Sequence, residues 1–193
     1  MRTKTTHQAD KMLDAAARLF GTQPFHRVRM EDIAAEAGVG KGTLYRYFQD
    51  KDELYIALVR RGTQQLLDQL QRAVEAVPGP RQRLTALVTE LIAFFDEQPH
   101  MLDLIQRTES LPGPDFPWRE TRMELGRMLM VLFHEASARA DFVVRDPELA
   151  SLLLLGGLRN VIRFGQRPRE HDLPERIIEL FLRGAVRGSN GDR

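Results

Sequence analysis

Six consecutive or nearly consecutive residues near the amino end combine positive charge, hydroxyl groups and small size. They are Lys41, Gly42, Thr43, Tyr45, Arg46 and Tyr47. Leu44 and Phe48 lie four positions apart, which places both apolar side chains on the inner face of one short helix and leaves the six residues outside. Ammonium, guanidinium and phenol groups on a narrow helix suit phosphate oxygens and the base edges of a major groove. The stretch therefore predicts a surface that recognises double-stranded DNA.

The residue types divide the expected contacts into two groups. Phosphate contacts are expected from Lys41, Tyr45, Tyr47 and the nearby Lys51. Thr43 and Arg46 are expected to reach base edges, and the guanidinium of Arg46 suits guanine. For Tyr47, packing against the fourth helix of the chain is an equally open alternative.

A second short helix precedes this one and fixes how it is presented. Ile33, Ala34 and Ala37 share one stripe of that helix, which predicts a buried face. Gly38 ends the helix, because glycine adopts the left-handed backbone that a C-terminal cap requires. Val39 then enters the corner between the two helices. Two short helices joined by a tight glycine turn have the layout of a helix-turn-helix.

The same residues carry a family signature. It consists of Ile33-Ala34, Ala37-Gly38-Val39, Gly42-Thr43-Leu44-Tyr45-Arg46-Tyr47-Phe48, and Lys51 followed three positions later by Leu54. This signature resembles that of the TetR (tetracycline-repressor-like) transcription regulators, and the match is strong over roughly residues 8 to 56. Two positions depart from the pattern, since Arg29 replaces a small hydroxyl residue and Gly40 replaces serine. Glycine is a tolerable N-cap at a loss of about a few tenths of a kcal/mol, and Arg29 offers a phosphate contact of its own.

The resemblance implies a ligand-responsive regulator, most often a repressor, that binds a palindromic operator as a dimer and is released by a small molecule. It also implies an effector pocket between the fifth and eighth helices. The pocket candidates are Phe94, Met101, Arg107, Trp118, Met123, Met128, Phe133, His134 and Asn160. Core packing is the alternative for the aromatic and methionine side chains, and a local hydrogen bond or solvent exposure is the alternative for Arg107, His134 and Asn160. The segment 112–117 is the candidate entry gate.

Helical periodicity, proline positions and capping signals predict an all-α fold. A three-helix helix-turn-helix domain, residues 1–50, is expected to continue through one long helix into a helical ligand-binding and dimerisation domain, residues 51–193. The expected helices run over about 7–20, 51–77, 81–97, 99–111, 118–140, 148–164 and 174–188, besides the two short ones. Residues 1–6 are expected to lack fixed structure, with an arm in the minor groove as the alternative.

The last two helices have more apolar surface than one small bundle needs. Residues 152–158 are apolar on nearly every side, which predicts a helix wrapped by neighbours. Gly156 and Gly157 each cost about 1 kcal/mol inside a helix, so we expect another helix to approach closely there. Pairing of helices eight and nine with a second copy of the chain would cover the excess. The alternative is that one subunit buries both faces.

The composition of the chain limits which classes of protein and which kinds of site are expected. The 193 residues have a formal net charge of +1, so DNA binding would depend on cations placed locally around one helix. The chain has no cysteine and its five histidines are scattered, so neither a metal nor a cofactor is expected. No apolar run is long enough for a membrane span, and no secretion signal is recognisable, which favours the cytoplasm.

Two other function classes, an enzyme and an architectural DNA-binding protein, are alternatives to a regulator. No catalytic arrangement stands out, so an enzyme is not expected. A nonspecific, architectural DNA-binding protein is the alternative that remains open, and the ratio of affinities for the protein's own promoter and for random DNA distinguishes it.

Overall fold

The structure is a computed structural model that describes residues 2–108 and 117–185, with side chains from residue 7 to residue 184 of those ranges. The described residues form nine α-helices and no strand, which confirms the all-α prediction. The helices are α1 (Arg2–Thr22), α2 (Met30–Glu36), α3 (Lys41–Tyr47), α4 (Lys51–Glu75), α5 (Pro80–Glu97), α6 (Pro99–Thr108), α7 (Pro117–Ala138), α8 (Pro147–Phe164) and α9 (Leu173–Ala185). None of these helices is both long and apolar enough to cross a bilayer.

The helices fall into two compact units. Unit 1 comprises Met1–Gln64 and Gln98–Trp118, and unit 2 comprises Gln65–Glu97 and Arg119–Arg193. The long helix α4 therefore contributes to both units, and α6 belongs to unit 1 although α5 and α7 belong to unit 2. The domain limits 1–50 and 51–193 remain a prediction, since the compact units are divided at other positions.

Unit 1 has a small core built from one face of each of its helices. Its fully or almost fully buried side chains include Met12, Leu13, Ala16, Phe20, Ile33, Ala34, Leu44, Leu54, Tyr55 and Leu58. Phe20 and Phe25 stack with their ring centroids 5.3 Å apart, and the ring of Tyr55 meets that of Phe25 edge-on at 4.9 Å. The predicted inner positions of α2 and α3 are thus confirmed, although Ala37 is only partly buried.

Unit 2 is organised around α5, which packs against both α8 and α9. Its core includes Leu84, Leu87, Val88, Leu91, Leu129, Phe133, Leu154, Leu158, Ile178 and Leu182. Phe133 of α7 stacks on Phe181 of α9 with the ring centroids 6.0 Å apart. These side chains follow the helical periodicity that the sequence displays.

Local capping signals explain where several helices begin. The Glu53 N–H donates to Oδ1 of Asp50 at 2.7 Å, so Asp50 caps α4 as predicted. The Leu149 N–H donates to Oδ1 of Asp146 at 3.0 Å, and a proline occupies the first turn of α8.

One predicted helix start differs from the structure, and one predicted segment lies mostly outside the described residues. The first helix begins at Arg2 rather than near residue 7, because the first residues contain neither proline nor glycine to stop it. The proposed entry gate lies mostly outside the described residues, which resume at Pro117, the first residue of α7.

Candidate DNA-binding surface

A tight glycine turn joins α2 to α3 and sets the angle between them. Gly38 has a φ of +66°, a left-handed conformation that side chains rarely adopt. The Val39 N–H donates to the carbonyl oxygen of Ala34 at 2.9 Å, and the Gly38 N–H donates to that of Ala35 at 3.1 Å. The bond from Val39 to Ala34 spans six residues and is characteristic of a Schellman cap. Backbone hydrogen bonds therefore fix the C-terminal end of α2.

Both departures from the family signature are accommodated at helix starts. Arg29 is the N-cap of α2, and its N–H donates to Oδ2 of Asp32 at 2.9 Å. Asp32 thereby supplies the carboxylate half of a capping box. Gly40 is the N-cap of α3 in extended backbone, and the Thr43 N–H donates to its carbonyl oxygen at 2.9 Å. Neither replacement prevents its helix from forming.

The outer face of α3 carries the predicted DNA-binding residues. Leu44 is fully buried and Phe48 is 7% exposed, whereas Lys41, Gly42, Tyr45 and Arg46 are exposed. The Lys41 ammonium lies 2.5 Å from a carboxylate oxygen of Glu31 and 5.7 Å from the ring centre of Tyr45. The bond to Glu31 raises the pKa of Lys41, and the same bond lowers the pKa of Glu31.

Tyr47 lies at the edge of this face and has a partner inside the protein. Its hydroxyl donates to Oε1 of Gln8 on α1 at 3.2 Å. The guanidinium of Arg46 lies 5.7 Å from the ring centre of Tyr47. The hydroxyl of Tyr47 is therefore anchored to α1, and its ring supports the exposed arginine, while its packing against α4 stays a prediction.

Lys51 differs from the other predicted phosphate contacts. Its ammonium donates to the carbonyl oxygens of Phe25 and Val28, each at 2.9 Å, and lies 4.1 Å from the ring centre of Phe25. Burial lowers the pKa of Lys51, and the nearby Arg107 lowers it further. Because the ammonium already has two acceptors in unit 1, this geometry gives no support to its predicted phosphate contact.

Comparisons with known proteins agree with this geometry. The family model described as bacterial regulatory proteins, tetR family, matches residues 12–58, which extend from α1 into α4. The transcriptional activator FasR of Mycolicibacterium smegmatis is 38% identical to this chain over 90 residues. The matched residues make up 47% of this chain and only 40% of FasR. A helix-turn-helix transcriptional regulator of Haemophilus influenzae is 28% identical over 94% of this chain and 95% of its own length. Residues 12–58 are therefore a domain of the tetR family of bacterial regulatory proteins.

The fold of the whole chain is also that of TetR-family regulators. The structure of the Bacillus subtilis regulator FadR in complex with stearoyl-CoA superposes with a TM-score of 0.75. The two share 18% identity over 90% of this chain and 97% of that one, which shows a common fold.

The residues predicted to line an effector pocket are not brought together in one unit. Met101, Arg107 and Trp118 belong to unit 1. The other six, Phe94, Met123, Met128, Phe133, His134 and Asn160, belong to unit 2. Phe94 and Phe133 are core residues, whereas Met123 is 54% exposed. The pocket therefore stays a prediction.

The two polar candidates of unit 2 are satisfied by their own helices. Nδ1 of His134 lies 2.7 Å from the carbonyl oxygen of Met130, and the side-chain amide of Asn160 donates to the carbonyl oxygen of Gly156 at 2.9 Å. Both side chains are exposed. The alternative of local hydrogen bonding fits them better than ligand recognition does.

Unit 2 instead has two open grooves beside α5. One, of about 580 Å³, is lined by Ala73, Arg81, Gln82, Thr85, Ala86, Thr89, Glu90 and Glu175. The other, of about 590 Å³, is lined by Gly79, Arg81, Gln82, Asp141, Phe142, Glu179, Leu182 and Arg183. Neither includes a predicted pocket residue.

Proposed function

We propose that this protein is an operator-specific transcription repressor that binds a palindromic site as a homodimer and is released by a small molecule. The observation that carries the proposal is the outer face of α3, where Arg46 is exposed and Thr43 is partly exposed beside it. The glycine turn holds this face away from the core of unit 1. A helix presented in this way enters a major groove, where arginine pairs with guanine.

An uncovered apolar stripe on α8 supports the dimer. Its large side chains, Leu149, Leu152, Leu153 and Phe164, are between 51% and 74% exposed. Gly156 and Gly157 lie on the same stripe, and a Cβ added to either would have no atom of the chain within 4 Å. The prediction of a helix wrapped by neighbours is thus wrong for the single subunit, because this side of α8 is open.

A second copy of the chain is the occupant that we propose for this stripe. Leu180 of α9 is 72% exposed and adds a further apolar side chain in unit 2. Isologous pairing of α8 and α9 with their counterparts would bury these residues and bring a partner helix close to the two glycines. Two recognition helices in fixed positions would then read two half-sites, which explains the expected palindrome.

Release by a small molecule is proposed from the family fold. FadR, which shares the fold, is seen with stearoyl-CoA. In this chain α4 is one uninterrupted helix that contributes to both units, and it offers a rigid path from an effector to the DNA-binding surface. A hundredfold loss of operator affinity requires about 2.7 kcal/mol of differential binding.

The proposal is tested by Arg46→Ala. We expect gel shifts on the DNA flanking the protein's own gene to lose the specific complex, while sedimentation still reports a dimer. Loss of one bidentate contact costs about 1–3 kcal/mol per half-site. Arg127→Ala is the matched control, since Arg127 of α7 is exposed and paired with the adjacent Glu124.

The same measurement separates the alternative function. If the wild-type protein binds random DNA as tightly as the flanking DNA at physiological salt, an architectural protein is favoured over a regulator of one operator. A reporter gene placed behind the flanking DNA gives the sign of regulation, because a repressor lowers expression and an activator raises it.

A further inference from the structure

Two cations from different helices lie against the same aromatic ring in unit 1. The guanidinium of Arg107 on α6 lies 3.8 Å from the ring centre of Phe25, and the ammonium of Lys51 on α4 lies 4.1 Å from it. Both distances are well within the range of a favourable cation–π contact. We call Phe25, Lys51 and Arg107 the Phe25 clamp.

The Phe25 clamp holds the segment that leads directly into the helix-turn-helix. Phe25 lies in the connection between α1 and α2, four residues before the N-cap Arg29. Lys51 binds the carbonyl oxygens of Phe25 and Val28, so both the ring and the backbone of this connection are fixed. The position of the connection in turn sets where α2 begins.

The remainder of α6 is packed closely within unit 1. The Tyr55 hydroxyl of α4 donates to the carbonyl oxygen of Leu104. A Cβ added to Gly62 would lie 2.6 Å from Cε of Met101, so glycine allows α6 to approach α4 here. These contacts fix the position of α6, from which Arg107 reaches Phe25. A displacement of α6 would therefore change the distance between the Arg107 guanidinium and the Phe25 ring.

The two clamp cations repel each other, and Phe25 lies against both. Arg107 lowers the pKa of Lys51, which reports their proximity, and Asp52 partly offsets this repulsion. The negative face of the ring attracts both charges. Removal of the Phe25 ring or of Arg107 would therefore change the electrostatic interactions at the position where α4, α6 and the connection between α1 and α2 meet.

We infer that Arg107, acting through the ring of Phe25, is a positioning residue for α2 and α3, so that the placement of α6 sets operator affinity. This inference rests on the proposed operator-specific function. It gives Arg107 and Lys51 a shared structural task in place of the effector and phosphate contacts expected from the sequence.

The test compares Arg107→Gln, Arg107→Lys, Phe25→Leu and the double variant Arg107→Gln with Phe25→Leu in the full-length protein. Affinity for the flanking-DNA operator and for random DNA of equal length is measured by fluorescence anisotropy. We expect Arg107→Gln to weaken operator binding by roughly tenfold, with little effect on random DNA, since it removes one partly desolvated cation–π contact. Arg107→Lys is expected to retain most of the affinity because it keeps the charge.

The double variant distinguishes positioning from independent effects. If Arg107 acts through the ring, the double variant binds the operator no more weakly than Phe25→Leu alone. Thermal melting of Arg107→Gln should remain cooperative, with at most a small decrease in midpoint from the lost cation–π contact, since Arg107 is otherwise exposed on α6. Arg127→Gln, which removes a charge from unit 2, is the control for net charge and should bind as the wild type does.

The possible outcomes separate this inference from the proposed function. A wild-type protein that does not prefer the operator over random DNA would overturn both. A wild type that is specific, with an Arg107→Gln variant of equal affinity and specificity, would overturn the inference alone. Losses from Arg107→Gln and Phe25→Leu that multiply in the double variant would also overturn it.

Discussion

At the scale of single residues, contacts within the protein hold the side chains of the predicted DNA-binding face. Lys41 is paired with Glu31, but both side chains are largely exposed, so this pair contributes little stability and can be exchanged for a phosphate. Tyr47 is held by Gln8 and in turn supports Arg46. The face therefore combines one adaptable cation with one arginine whose position is restrained before DNA is bound.

A substitution of Gly42 is expected to change stability and DNA binding in opposite directions. A Cβ added to this residue of α3 would have no atom of the chain within 4 Å, and alanine is favoured over glycine in a helix by about 1 kcal/mol. We expect Gly42→Ala to raise the free energy of unfolding by roughly that amount in urea titrations. We also expect operator affinity to fall by roughly tenfold, because an added methyl group disturbs a closely packed interface.

Gly126→Ala in α7 is the matched control for this substitution. Its added Cβ also has no atom of the chain within 4 Å. It should raise stability in the same way and leave operator binding unchanged. Wild-type operator affinity in the Gly42→Ala protein would contradict the placement of α3 against DNA.

His100 is expected to make stability depend on pH. Its Nε2 is buried with no hydrogen-bond partner among the described residues, and burial lowers its pKa below the usual 6.5, partly offset by Asp103. Below about pH 6.5 the unfolded chain binds a proton that the folded protein resists, so stability is lost as the pH falls. The urea midpoint should therefore decrease between pH 7.5 and pH 5.

A substitution assigns this pH dependence to His100. The decrease in midpoint should be smaller in His100→Gln than in the wild type. His171→Gln removes an exposed histidine and should retain the wild-type dependence. Identical slopes for all three proteins would show that His100 does not contribute.

At the scale of elements, helix ends are fixed by a few directed bonds. Arg169, which is 7% exposed, donates from Nε to Oδ2 of Asp96 on α5 at 2.6 Å. Its two other nitrogens donate to the carbonyl oxygens of Val161 and Ile162, at 2.9 and 3.0 Å. One guanidinium thus caps the end of α8 and joins it to α5, which holds the stripe-bearing helix in unit 2.

Loss of Arg169 should therefore be costly to unit 2. We expect Arg169→Gln to lower the free energy of unfolding by about 2–3 kcal/mol in urea titrations, because it removes the buried guanidinium that pairs with the partly buried Asp96 and leaves that carboxylate only the more exposed Arg167. Arg176→Gln is the control, since Arg176 is exposed and pairs with the exposed Glu170. Its cost should stay below about 1 kcal/mol. Equal effects of the two substitutions would refute this role of Arg169.

At the scale of the whole molecule, the proposed function requires two copies of the chain. Affinity for a palindrome gains from two linked recognition helices, often by a factor of about 100 or more. The exposed stripe of α8 is the surface that would supply this linkage. Its two glycines are open in the single subunit, so their helix-propensity cost has no compensation within one chain.

Leu153→Glu should separate the subunits. Leu153 is 64% exposed in the single chain, so a glutamate there is tolerated by the subunit but buried without a partner in a dimer. We expect sedimentation to report a folded monomer at micromolar concentration, with operator affinity reduced by about 100-fold. Val131→Glu on α7, at a residue that is 55% exposed, is the matched control and should remain dimeric. A dimeric Leu153→Glu protein would place the interface elsewhere.

The sequence by itself determined those parts of the protein that depend on neighbouring residues. The turn at Gly38, the caps at Asp50 and Asp146, and the inner faces of α1, α2 and α3 follow from backbone preferences and helical periodicity, which act over a few residues. These local rules also place the DNA-binding face of α3 outside.

Only the tertiary structure decided which partners the charged side chains have and which apolar faces stay open. Lys51 and Arg107 meet at Phe25, which is distant from both in the chain, and no local pattern distinguishes such a contact from a solvent-exposed cation. Likewise the apolar run of α8 has the same sequence whether neighbours surround it or leave one side uncovered. The physical reason is that burial depends on how separate helices pack, and periodicity along one helix does not specify its neighbours.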